Sequence, residues 1–183
     1  MKIQKLYQPL LLIPLASALL IGGCTSASDS VTEPTATSVE TQEAQTASAY
    51  HVNLDEKGRA LRGHDPVAYF TTGEPVAGSQ DFAFEWDDAE YFFASAENRD
   101  EFASNPEKYA PANGGYCTFG VVLAKKFDGD PQVWLIHNDR LHVFLNQDVK
   151  AQFLQDEPGN LAKVSENWPV IQDKSPEELE AAG

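Results

Sequence analysis

Basic residues are scarce in this chain. Lys and Arg number 13 against 28 Asp and Glu, a formal net charge of −15. Such a chain repels phosphate backbones and anionic lipid faces, which excludes nucleic acid as a partner. Cysteine is scarcer still, with Cys24 and Cys117 the two in 183 residues. There is no CxxC pair, no Walker loop and no dinucleotide-type glycine fingerprint, so the motif-borne redox and nucleotide chemistries are excluded. Long hydrophobic runs are absent as well. The apolar segment Leu6–Ile21 spans 16 residues, is broken by Pro9 and Pro14, and falls short of the roughly 20 residues a membrane-spanning helix needs.

What that segment does contain is the order of a secretory signal: Lys2 and Lys5, an apolar stretch from Leu10 to Ile21, then small residues. Leu20-Ile21-Gly22-Gly23-Cys24 resembles a bacterial lipobox, in which cleavage makes the Cys the lipidated N-terminus. The resemblance implies a signal peptide over 1–23 and a lipid on Cys24. It places the protein in the bacterial cell envelope, held to the membrane by its lipid. Thr25, where an Asp would mark inner-membrane retention, implies the outer membrane facing the periplasm. Cleavage removes two Lys and no acid, moving the net charge from −15 to −17. A solvated acidic surface accounts for that charge, and attraction for cations or a basic protein is the alternative.

Residues 24–49 read as a lipidated Cys and a flexible linker. The stretch after Cys24 is built mainly from Ser, Thr, Ala, Glu and Gln with no aromatic residue, too little apolar surface to offset the entropy of ordering. As a random coil it holds the C-terminal domain about 25–30 Å from the lipid. Composition shifts at Tyr50, and residues 50–169 carry the Trp and Phe side chains of one ordinary domain. Residues 170–183 form an acidic tail. There Ser175-Pro176-Glu177-Glu178 reads as an N-cap, a Pro at the first helical position and acids in the first turn. The expectation is a short surface helix or a frayed end.

Inside the domain, Asp88-Ala89-Glu90-Tyr91-Phe92-Phe93 followed by Phe102 recurs as Asp139-Arg140-Leu141-His142-Val143-Phe144 followed by Phe153, at a constant offset of 51 residues. Each half reads as a strand, a turn at Asp87-Asp88 or Asn138-Asp139, a second strand, and a helix, Ala96 to Ser104 or Gln147 to Gln155. Ser95 and Asn146 are N-caps. Asn105-Pro106 stops the first helix and Pro158-Gly159 the second, and Asp65-Pro66 and Asp130-Pro131 form turns upstream of each half. Two repeats are too few for a solenoid. The expected fold class is α+β: one small domain of two similar ββα halves, antiparallel hairpins with helices packed on one face.

Three stretches carry a family likeness: Gly63-His64-Asp65-Pro66-Val67-Ala68-Tyr69-Phe70, Tyr91 through Phe102, and Asn105-Pro106-Glu107-Lys108-Tyr109. They resemble the YHS domain family, with a core over 65–109. Gly114-Gly115-Tyr116-Cys117 and Asn167-Trp168-Pro169 resemble the extension of a secreted subgroup, taking the likeness over 58–169. The resemblance implies a metal-handling context and, in metal-binding members, three thiolates. Here Ala68, Ala94 and Asn98 stand at those positions, and neither an alanine methyl nor an amide replaces a thiolate. The fold carries over, with Asp65, Pro66, Tyr91, Phe93, Phe102, Gly114 and Gly115 in structural roles; the metal site does not.

Cys117 is the one thiol left after lipidation of Cys24. After Gly114-Gly115 and before Thr118-Phe119-Gly120-Val121-Val122, it reads as the start of an apolar strand. It is either a small buried hydrophobe, a metal or haem ligand, or a thiol that is reactive or paired in an intermolecular disulfide. His142, with His137 across the turn, adds imidazoles that would complete a copper or zinc set with Cys117, and His64 precedes Asp65. A Cys117–His142 nucleophilic pair would need Asp139 or Asp148 to orient it. The combined reading is a lipid-anchored binding module of the YHS type, non-enzymatic, meeting a small ligand, a metal ion or a periplasmic protein. The alternatives are a copper- or zinc-binding protein using Cys117, His142, His137 and His64, and a thiol-dependent enzyme.

Overall fold

A computed structural model of the chain describes residues 50–182. The signal segment, Cys24 and the linker lie outside the described residues. Two hairpins organise the fold. β1 (Ser79–Trp86) pairs with β2 (Ala89–Phe93), and β3 (Asp130–His137) with β4 (Arg140–Phe144), both antiparallel. With the surrounding helices this is an α+β fold.

The turn residues explain the hairpins. Asp87 and Asp88 take φ of 54° and 57°, Asn138 and Asp139 of 48° and 56°. Two successive left-handed residues make the two-residue turn whose twist matches that of the strands, and Asn and Asp tolerate it best after Gly. The repeat holds pair by pair. Phe84 faces Tyr91 as Leu135 faces His142, and both hairpins bulge at the same place, after Ser79 and after Asp130. Gly78 and Gly129 also match. A Cβ on Gly78 would lie 2.4 Å from the Phe92 backbone, and on Gly129 2.4 Å from Val143 Cγ2, the residue 51 further on.

Each half opens with a 3₁₀ turn and a short helix: Leu61–Gly63 and α1 (Ala68–Thr71), then Ala112–Gly115 and α4 (Thr118–Val122). After the first hairpin come α2 (Ala96–Ser104) and α3 (Pro106–Tyr109). After the second come α5 (Gln147–Leu154), α6 (Glu157–Ile171) and α7 (Pro176–Ala181). The expected caps are in place: the Ser95 side chain accepts from Asn98 N and the Asn146 side chain from Val149 N.

Three expectations are corrected. Pro158-Gly159 does not stop a helix; it sits in the first turn of α6. The Asp156 side chain accepts from Gly159 N, and a Cβ on Gly159 would lie 2.2 Å from Asp156 Oδ2, so this Gly makes room for a cap. Asp130-Pro131 is the bulged start of β3, not a turn before it, and the Pro131 carbonyl accepts from the Tyr69 hydroxyl at 3.0 Å. The tail is the expected short capped helix, but it is docked on the core rather than lying free on the surface. α6 runs through Pro169 to Ile171, Ser175 and Glu178 form a full capping box, and Ile171 and Leu179 are buried beside Cys117, Phe144 and Phe153.

Three clusters of buried side chains result from this layout. One belongs to the first half, around Tyr91, Phe93 and Phe102; one to the second, around Phe144 and Phe153. The third joins them through Leu61, Tyr69, Leu141 and Val143, with Trp134 edge-on to Tyr69 at 5.3 Å.

Candidate functional site: a cleft between the two halves

Asp65 is fully buried, and its carboxylate is saturated with donors. Oδ1 accepts from Val67 N at 2.8 Å and Ala68 N at 3.3 Å; Oδ2 accepts from Ala94 N at 2.9 Å and Asn98 Nδ2 at 2.6 Å. Ala68, Ala94 and Asn98 are the three positions where the YHS resemblance would put thiolates. They converge here on a carboxylate as backbone and amide donors, and this donor set does not suit a metal ion. Pro66 follows Asp65 in the turn before α1, and Phe93 and Phe102 are fully buried, so the motif residues are placed structurally.

Cys117 occupies the matching place in the second half. Asp65 N donates to Val76 O at 2.9 Å, and Cys117 N to Phe127 O at 2.8 Å. The expected strand is instead the lead into α4, with Cys117 at its N-cap. The thiol is 1 % exposed among Val121, Phe144 and Phe153, with Val149 packed against the same cluster at the position matching Asn98. The polar pair Asp65–Asn98 of one half is the apolar pair Cys117–Val149 of the other.

The histidines are dispersed. His142 is buried at the position matching Tyr91, so its ring fills a core aromatic slot. Burial, with the nearby charges of Arg140 and His137, depresses its pKa to about 4 and keeps it neutral. Its Nδ1 shares a hydrogen bond with Thr118 Oγ1 at 3.3 Å; neither Asp139 nor Asp148 orients it. His137 lies on the same face of the hairpin but pairs with Glu157 Oε1 at 2.7 Å. His64 Nδ1 is 3.1 Å from Leu61 O, and its Nε2 is 3.1 Å from Gln132 Nε2. Among the described residues no three His, Cys, Asp or Glu side chains are grouped to hold a metal ion.

A different set converges where the halves meet. A cleft of about 260 Å³ is lined by His51, Trp86, Asp87, Tyr91, Glu107, Asn113, Gly114, Arg140, Trp168 and Gln172, among others. Its walls come from five separate stretches of the chain. The strap after Tyr50 is held by Asn53 N donating to Gly114 O at 2.8 Å. Gly114 makes that approach possible. Its φ is +60°, and a Cβ would stand 1.8 Å from the His51 carbonyl oxygen. Asn113, also left-handed at 55°, turns the chain into the same bend, and Gly115 completes it at 83°. His51 Nε2 lies 3.2 Å from Asp87 Oδ2, and Arg140 Nη1 donates to the Glu107 carbonyl at 2.5 Å, tying one half to the other. Asn167 Nδ2 donates to Val121 O and Val122 O, the open carbonyl end of α4, and so fixes Trp168 beside it.

A larger groove of about 480 Å³ lies beside Asn53–Arg62. Its guanidinium groups are already used, Arg59 on Asp55 at 2.6 Å and Arg62 on Asp128 at 3.2 Å. The inter-half cleft is the better-built site. Sequence patterns single out Gly114-Gly115 and Asn167-Trp168-Pro169 without showing that they meet there, and they give no sign of Trp86, Asn113 or Arg140. Set beside family models, curated proteins and solved structures, the chain matches none of them.

Proposed function

We propose that this protein is a lipid-anchored, tethered binding module of the bacterial envelope, of the YHS type, that captures a small ligand without transforming it. The observation that carries the reading is the cleft, built from both halves around Trp86, Tyr91 and Trp168. Aromatic walls with a few polar groups are the usual make-up of a small-molecule site. The groups best suited to covalent chemistry stand elsewhere. Cys117 is sealed in the core, and His142 spends its Nδ1 on Thr118. The lipobox-like segment and the polar linker support the anchor and its reach.

The reading is tested on the full chain, purified with its lipid in detergent. Thermal shifts are measured with benzoate, benzylammonium and benzyl alcohol as probes, for the wild type and for Gln172→Phe, which fills the cleft. A shift with at least one probe, lost in Gln172→Phe, is the expected result. No shift with any probe, or one that survives the filling, contradicts the reading. Palmitate labelling lost in Cys24→Ser checks the anchor.

A further inference from the structure

The chemistry of the cleft lining selects among ligand classes. Arg140 brings a guanidinium, Trp86 and Trp168 bring indole N–H groups, and Tyr91 brings a hydroxyl. Burial and the charge of Asp87 raise the Tyr91 pKa, so its oxygen stays protonated and able to donate. Of the two carboxylates in the lining, Asp87 faces His51 at 3.2 Å, and Glu107 is exposed, as Arg140 is. Arg140 is engaged by one nitrogen and with a backbone carbonyl, which leaves its charge uncancelled by that bond.

Asn113 supplies the independent observation. It is 8 % exposed, lines the cleft, and its Nδ2 has no hydrogen-bond partner among the described residues. A buried donor without a partner forfeits its hydration with no return, and native structures rarely leave one without a use. Nδ2 is shut off from solvent as it stands, so an incoming acceptor reaches it when the amide turns toward the cleft.

Resting on the reading of this cleft as the binding site, we propose that its ligand is a small carboxylate with a flat apolar body. The carboxylate meets Arg140 and the Asn113 amide, and the apolar body lies against Trp86, Tyr91 and Trp168. The volume is below the roughly 300–1,000 Å³ of drug-sized pockets, which limits the body to about one ring. An ammonium ligand is the opposite case. Rings and Glu107 suit it, whereas Arg140 and the donors from Tyr91 and Asn113 oppose it.

Isothermal titration of the full chain with benzoate, benzylammonium and benzyl alcohol decides the point. Arg140→Gln and Asn113→Gly are compared with wild type, Gly being chosen because it keeps the left-handed bend. The proposal predicts that benzoate binds most tightly, that Arg140→Gln weakens it about tenfold or more, as expected for a charge-assisted bond, and that Asn113→Gly weakens it severalfold. Thermal denaturation confirms that both variants fold. Tighter binding of benzylammonium, or benzoate binding indifferent to Arg140→Gln, overturns the carboxylate assignment. If any probe still binds and Gln172→Phe abolishes it, the cleft stands as the site. Silence from all three probes overturns both.

Discussion

At the scale of single residues, pseudo-equivalent positions say more than residue types do. By type, His142 is a candidate ligand, a histidine near another histidine and a cysteine. Its partner position in the first half is Tyr91, and both are rings in a core. A consequence is acid sensitivity. The His142 pKa is about 4 in the folded protein against an ordinary 6.5, so between these values the unfolded chain binds the extra proton. Stability is therefore full above about pH 6.5 and falls as pH drops toward 4, by up to about 3 kcal/mol from this group. His142→Phe should flatten that part of the stability–pH curve in urea titrations. It should also cost about 1 kcal/mol at neutral pH, because Thr118 loses its partner. An unchanged slope between pH 6.5 and 4 would show that His142 is not the group responsible. Asp65 and Cys117 make the same point, since one backbone position carries a saturated carboxylate in one half and a sealed thiol in the other. Asp65→Ala and Asn98→Val should each destabilise, the former by about 3 kcal/mol. Their double-mutant cycle should show a coupling of more than about 1 kcal/mol; additivity would refute the shared network.

At the scale of elements, the hairpins, their turns and both helix caps are legible in the sequence because each rests on local chemistry. A left-handed Asn or Asp pair makes the turn, and Ser or Asn begins the helix. α6 is not legible. Pro158-Gly159 has the composition of a stop, and only the geometry of the Asp156 cap shows that it is a start. The bulges are hidden too, since Ser79 and Asp130 mark them only through register. If the two ββα units are true counterparts, their glycines should be equally intolerant. Gly78→Ala and Gly129→Ala each push a Cβ to 2.4 Å from fixed neighbours and should cost about 3 kcal/mol, in the upper range of overpacking. Gly73→Ala, with φ of +74° and open space, should cost about 1 kcal/mol, from backbone strain alone. Melting curves that rank Gly73→Ala with the other two would contradict the equivalence.

At the scale of the whole described unit, long-range ties decide what the sequence leaves open. Lys126 is the clearest. The residue is 5 % exposed, and its ammonium donates to the carbonyls of Tyr50, Gln172 and Lys174 at 2.6, 2.7 and 2.8 Å, with the Tyr116 and Trp168 rings beside it. It clasps the point where the linker enters to the end of α6 and the approach to α7, and burial lowers its pKa to about 8. Lys126→Met should cost about 2–3 kcal/mol and speed hydrogen exchange around residues 172–179. Unchanged protection there would mean that the tail holds without it. The tail has the composition of a surface feature because its acids dominate, while the residues that dock it, Ile171 and Leu179, are few.

The cleft is illegible in the sequence for the same reason of scale, since His51, Trp86, Asn113, Arg140 and Trp168 come from distant segments and share no spacing. The three tryptophans test it directly, because Trp86 and Trp168 line the cleft whereas Trp134 lies in a separate groove on β3. In nitrogen–proton spectra of the full chain titrated with benzoate, the indole signals of Trp86 and Trp168 should move together and saturably while that of Trp134 stays still. Movement of Trp134 alone, or of none of the three, would contradict the claim that the junction of the two halves is where this protein meets its ligand.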